Sequence, residues 1–142
     1  MKTWIIDASV VVKWFLKAAE NEADISIALE ILDALRNDKI IVLQPIHWLI
    51  EVAAVITRLR PNHAENVISL LYTMELPVCN NPVVFNVACR LAKTYHHHLF
   101  DTLYHAVALS QDNATLVTAD LTYLKKVRDE GKIIPLSDFK LV

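Results

Sequence analysis

A single glycine, Gly131, serves all 142 residues of this chain, alongside five prolines. Tight hairpins draw on glycine for the positive backbone angles of their turns, so an all-β sandwich or barrel is disfavoured. Hydrophobic residues make up 54% of the chain and charged residues 21%, which supplies a substantial core and excludes a disordered tail. The length fits one compact domain spanning residues 1–142. Helix-friendly composition with a few short β-branched runs leaves α/β as the expected class.

The order of those runs specifies a topology. Thr3-Trp4-Ile5-Ile6, the segment 39–43, Thr115-Leu116-Val117-Thr118 and Ile133-Ile134-Pro135-Leu136 have strand character, and 77–80 is a weaker fifth. Helical spacing fills the intervals 8–16, 22–37, 46–60, 63–75, 83–97, 101–111 and 121–130. Pro45 is expected ahead of the first turn of the third helix, and Gly131 at a left-handed C-cap. Strands separated by helices imply parallel βαβ units, hence a three-layer α/β/α fold with a parallel sheet of four to five strands.

The net charge of −2 offers no global basic signal for nucleic acid. Cys79 and Cys89 form neither a disulfide framework nor a four-ligand zinc pattern, and both are expected as small buried hydrophobes in a reducing compartment. Asp7 and Lys13 interrupt the N-terminal apolar stretch, which therefore does not read as a signal peptide. No window approaches the roughly 18 uncharged apolar residues of a membrane span. A cytoplasmic protein without membrane contact is the expectation.

Open parallel sheets bind ligands beyond the carboxyl ends of their strands. Asp7 and Asp120 fall there, although each also suits a helix N-cap. Glu51 sits among His47, Trp48, Ala54 and Val55 on an apolar helix face, where a carboxylate needs a cation or a donor; a salt bridge to a distant arginine would answer equally well. Asp101 opens a helix after His96-His97-His98-Leu99-Phe100 and suits an N-cap too. Together the four are harder to explain than singly. Carboxylate oxygens are hard ligands for Mg²⁺ or Mn²⁺, and a divalent ion neutralises the repulsion of a clustered set. Such a centre serves phosphodiester chemistry, polarising the phosphoryl oxygen and acidifying the attacking water.

The segment Ile5-Ile6-Asp7-Ala8-Ser9-Val10-Val11-Val12-Lys13-Trp14-Phe15 resembles the opening of PIN-domain ribonucleases, specifically the VapC-type toxins of toxin–antitoxin pairs. The resemblance runs on through Pro45 to Glu51-Val52-Ala53, through Phe100-Asp101-Thr102-Leu103-Tyr104-His105-Ala106-Val107-Ala108 and through Leu116-Val117-Thr118-Ala119-Asp120. It implies a divalent-metal-dependent endoribonuclease whose metal-binding and catalytic carboxylates are Asp7, Glu51, Asp101 and Asp120, with Ser9 and Thr118 supplying supporting hydroxyls. It also implies RNA as substrate, a cognate antitoxin whose C-terminal segment plugs the acidic groove, and a homodimer. His96-His97-His98 departs from the family, where a small residue is common, and alters how substrate enters.

Three consecutive helical residues point about 100° apart, so the histidines cannot chelate one ion together from a helix; a polar helix end is expected, with His98 or His105 as candidates near a phosphate path. Basic residues are sparse: Lys13, Lys17, Arg58, Arg60, Arg90, Lys93 and a patch at Lys125, Lys126 and Arg128 that also suits the dipole of a helix end. Surplus apolar residues on 46–60 and 63–75, among them Trp48, Leu49, Ile50, Leu70, Leu71 and Tyr72, point independently to a homodimer interface. Two other readings compete. One is a non-catalytic PIN scaffold that binds protein or joins a repressor complex. The other is a phosphohydrolase or phosphoacceptor domain with an aspartate nucleophile; the phosphohydrolase would want an Asp where Ser9 stands, and the phosphoacceptor an acidic pair before its first strand-end turn and a lysine after a late strand.

Overall fold

A computed structural model describes residues 1–16 and 22–141. The chain runs β1 (Thr3–Ile6), α1 (Ala8–Val11), a 3₁₀ turn (Val12–Phe15), α2 (Glu22–Arg36), β2 (Ile41–Val42), β3 (Gln44–Pro45), α3 (Trp48–Leu59) and α4 (Ala64–Thr73). It continues through β4 (Val78–Cys79), α5 (Pro82–Tyr95), α6 (Leu99–Leu109), β5 (Ala114–Thr118), α7 (Leu121–Val127) and β6 (Ile133–Pro135). Lys17 lies outside the described residues.

Four strands form one parallel sheet in the order β2-β1-β5-β6, with Ile6 opposite Val117 and Trp4 opposite Val42. Helices flank it in a three-layer α/β/α arrangement, as the alternation of elements implies. Central strands covered on both faces read as unbroken apolar runs. Trp4, Ile5 and Ile6 of β1 are buried, as are all five residues of β5. Helix α6 carries seven consecutive buried residues, Thr102 to Ala108, and packs on β1, β5 and α5. A helix apolar on every side belongs inside.

The second expected strand is shorter than its apolar run, and Pro45 is not in a helix. The chain leaves the main sheet after Val42, and Gln44–Pro45 pairs instead with Val78–Cys79 as a separate two-stranded ladder. Proline is tolerated there because the ladder uses the Gln44 N–H, which donates to the Pro77 carbonyl at 2.9 Å. The side chain of Gln44 turns back. Its Oε1 accepts from Ile6 N at 2.8 Å and its Nε2 donates to Ile6 O at 2.9 Å, satisfying the edge of β1 that β2 no longer covers. Gln44 is wholly buried.

With so little glycine, other residues take the left-handed turns: Asp38, Glu75, His96, Asn113 and Lys132 all have positive φ. Gly131 has φ 77° and ψ −176°, an extended positive-φ conformation rather than the left-handed helical one, and it follows a 3₁₀ turn (Arg128–Glu130) that shortens the expected last helix. Cys79 is half-buried and Cys89 exposed, so the expectation of two buried cysteines holds for neither in full. Among the described residues no helix is long and apolar enough to cross a membrane.

Candidate metal centre

Parallel pairing sets the carboxyl ends of β1 and β5 side by side, and the pairing extends one step further as Asp7 N donates to Val117 O at 3.1 Å. Asp7 is the N-cap of α1, and its Oδ2 accepts from Ser9 N at 3.1 Å and from the Ser9 hydroxyl at 2.5 Å. The Thr118 hydroxyl stands 3.3 Å from the same oxygen. Ser9 Oγ in turn accepts from Ala119 N at 3.0 Å, and Thr118 Oγ1 from Asp120 N at 3.0 Å. Two hydroxyls thus staple the strand ends together and fix one oxygen of Asp7. Oδ1 takes none of these bonds.

Asp120 is the N-cap of α7, its Oδ1 accepting from Tyr123 N at 3.0 Å. Capping and an open second oxygen coexist in both aspartates, so the two readings of each are compatible. Asp101 differs from expectation. His98 is the N-cap of α6 and Asp101 is its third residue, with no capping bond. The chain starts the helix two residues early because Leu99 and Phe100 already have helical geometry. Glu51 lies in the first turn of α3, partly buried, with Oε2 3.6 Å from His47 Nε2 rather than on a distant arginine.

Asp7 and Asp101 each feel neighbouring carboxylates. Burial, opposed by the Ser9 hydrogen bonds and reinforced by the charges of Glu51 and Asp101, pushes the Asp7 carboxyl up to about 7. Asp101 is also raised, first by burial, then by Glu51 and Asp120, against the pull of His97. Tyr104 projects from α6 beside Glu51; burial and the charges of Glu51 and Asp7 raise its phenol, and its buried hydroxyl lacks a well-formed hydrogen bond.

Spacing alone does not reveal His97. Helix α5 ends at Tyr95, and His96 takes the left-handed conformation, φ 51°, so the chain turns and the histidines do not share a helix. His97 Nε2 then lies 2.8 Å from Asp101 Oδ2, and His97, Asp101 and Asp120 hold ligand-type atoms within 4.8 Å of one another. Lys126 Nζ stands 3.1 Å from His97 Nδ1. An ammonium only donates, so Nδ1 accepts, and the ring hydrogen on Nε2 is donated to Asp101. In this arrangement His97 positions Asp101 rather than ligating an ion. A helix ending between two helices is the only available hint, since the run contains no glycine to mark the break.

His105 is not on a phosphate path. Its Nε2 donates to Gly131 O at 2.8 Å and its Nδ1 accepts from the Tyr123 hydroxyl at 3.0 Å, so this buried ring ties α6 to α7 and the following turn. Of the basic residues, Lys13 is buried, and Arg90 forms a bidentate pair with Glu130 at 3.0 and 3.2 Å.

Among the described residues the ligand-type atoms that lie together are those of Asp101 and Asp120 with His97, while Asp7 and Glu51 stand outside that group; carboxylate oxygens of this kind suit a hard divalent cation, and Asp7 keeps one oxygen outside its hydrogen bonds. Imidazoles stand beside Glu51 and Asp101, His47 at 3.6 Å and His97 at 2.8 Å. A scan of the chain against protein-family models gives no match, and no curated protein matches it.

Proposed function

We propose that this chain is a divalent-metal-dependent endoribonuclease of PIN-like architecture, using Mg²⁺ or Mn²⁺, and the toxin of a type II toxin–antitoxin pair. The observation that carries the nuclease reading is the convergence of acidic residues from separate elements: ligand-type atoms of Asp101 and Asp120 lie with those of His97 within 4.8 Å of one another, and Asp7 and Asp101 both feel the charge of Glu51. These acidic residues would hold the ion, which when bound polarises the phosphoryl oxygen and acidifies the attacking water. Ser9 and Thr118 keep Asp7 in one orientation. His97, itself oriented by Lys126, keeps Asp101 in another.

The toxin assignment rests on the family resemblance, as does the antitoxin segment expected in the acidic groove. Homodimer formation draws further support from Ile50, Leu70 and Tyr72, which stay exposed on α3 and α4 while Trp48, Ile56 and Leu71 fill the core.

Purified protein is expected to cleave RNA with Mg²⁺ or Mn²⁺, to stop in EDTA and to resume when either ion is restored. Cleavage unaffected by EDTA would remove the metal from the proposal, and no cleavage of any RNA would remove the nuclease. His97 makes a separate expectation. Removing a group that orients a metal ligand typically costs about ten- to a hundredfold in affinity. His97→Ala should weaken Mn²⁺ binding by that order in titration calorimetry. His97→Gln, whose amide N–H can reach the same oxygen, should recover most of it. Full affinity in the Ala variant would show that Asp101 needs no such support.

A further inference from the structure

A carboxylate that ligates a metal is normally held by a hydrogen bond from a neighbouring group, which fixes the oxygen turned to the ion. Three of the four candidate carboxylates have such a support. Asp7 accepts from the Ser9 hydroxyl, Asp101 from His97 Nε2 at 2.8 Å, and Asp120 from Tyr123 N at 3.0 Å. Among the described residues, no formed hydrogen bond reaches the Glu51 carboxylate. His47 Nε2 stands 3.6 Å from its Oε2, but a neutral imidazole has one ring hydrogen, and this one goes to the Phe100 carbonyl at 2.7 Å. Nδ1 is then an acceptor with nothing to offer a carboxylate.

A donor without an acceptor lies beside it. Two buried side-chain polar atoms lack a partner among the described residues, His47 Nδ1 and the Tyr104 hydroxyl. Tyr104 is fully buried on α6, one turn after Asp101, and its ring lies 5.0 Å from that of His47, which also borders Glu51. The charges of Glu51, Asp7 and Asp101 all bear on the phenol. Of the three, only Glu51 also acts on it as a hydrogen-bond acceptor, in a contact that falls short of a formed bond. An unpaired hydroxyl in the interior destabilises a fold, and phenylalanine would fill the same space without that cost. Packing therefore does not account for the oxygen. We propose that Tyr104 is a positioning residue for Glu51, its phenol hydrogen directed to one carboxylate oxygen so that the other is presented to the ion. The inference rests on the metal-dependent reading of the site. Tyr104 is locked in the core, whereas Glu51 is only partly buried, so the carboxylate is the member that moves into register.

The test is a thermodynamic cycle on wild type, Tyr104→Phe, Glu51→Ala and the double variant. Each is titrated with Mn²⁺ by calorimetry and melted in EDTA. Tyr104→Phe should weaken Mn²⁺ binding by about tenfold or more, the usual cost of removing a group that holds a ligand. Its melting temperature in EDTA should equal or exceed that of the wild type, because the orphaned hydroxyl is gone. In the Glu51→Ala background the same change should cost no further affinity, since residues that act as a unit are not additive. Wild-type affinity in Tyr104→Phe overturns the proposal, and a lowered melting temperature with that affinity makes the hydroxyl structural. An equal loss of affinity in both backgrounds also overturns it, because Tyr104 would then act without Glu51. A wild type that binds no Mn²⁺ overturns this inference together with the metal-dependent reading. One that binds Mn²⁺ but cleaves no RNA removes the nuclease alone, and the cycle still decides the role of Tyr104.

Discussion

Asp101→Asn is expected to abolish metal-dependent cleavage while leaving the metal-free protein as stable as before, or more so. The asparagine keeps an oxygen to accept from His97 Nε2 and loses only the charge. Because Asp101 is the third residue of α6 and caps nothing, no capping bond is lost. The helix dipole favours an anion at that position by about 0.3–1 kcal/mol. Against this, burial and the charges of Glu51 and Asp120 raise the Asp101 carboxyl, so its ionised form is less stable in the fold than in the open chain. The two effects oppose each other, and the net upward shift, led by burial, leaves the charge unfavourable in the fold. Activity responds differently, since a bound divalent ion contributes several kcal/mol of charge stabilisation, and losing it costs roughly a thousandfold or more in rate. Cleavage rate and the melting temperature in EDTA, measured together, check both halves. Wild-type cleavage by the Asn variant would sink the assignment of Asp101. A large fall in metal-free melting temperature would make the residue structural.

Asp7 supplies the second large effect, visible as a pH dependence. Its carboxyl sits near 7 in the fold, against 3.8 for the unperturbed group. The folded state therefore holds the proton more tightly, and the associated stability is complete below about pH 4 and lost as pH rises through 7. Across that window the difference is on the order of a few kcal/mol, because each tenfold gain in proton affinity is worth about 1.4 kcal/mol. Without metal, Asp7→Asn should match wild type near pH 4 and exceed it increasingly up to pH 8. The amide oxygen can take the place of Oδ2 on Ser9 and Thr118, so the staple survives. Divalent cation should stabilise the wild type most above pH 7 and the Asn variant least. Denaturant unfolding in EDTA at several pH values reads this directly. Parallel curves for the two proteins would show that Asp7 is not held protonated.

The contrast between what the sequence discloses and what it conceals follows contact distance along the chain. Strands β1 and β5 are legible because a strand buried on both faces must be apolar throughout, and Asp7 and Asp120 because they terminate those runs. Pro45 misleads because proline fits both a helix start and a sheet edge, and only the distant partner Val78–Cys79 decides between them. The start of α6 reads too late, at Asp101, for the same local reason: nothing in His98-Leu99-Phe100 announces the earlier beginning. His97 escapes because its importance depends on a left-handed turn at His96 and on Lys126 arriving from α7. A residue's own neighbours encode its helix or strand, whereas its partners in the site come from elements that neighbour it only after folding.

Gln44 carries an implication for which sequences can occupy this fold. Its side chain acts as a one-residue strand, offering Ile6 both an acceptor and a donor at the reach of a peptide group. Ionised glutamate lacks the donor, methionine offers only a weak sulfur acceptor, and asparagine is one methylene short. Position 44 therefore favours glutamine for its stereochemistry, with no reference to catalysis. Because Ile6 immediately precedes Asp7, drift at this remote seam would be transmitted to the carboxylate as a change of aim.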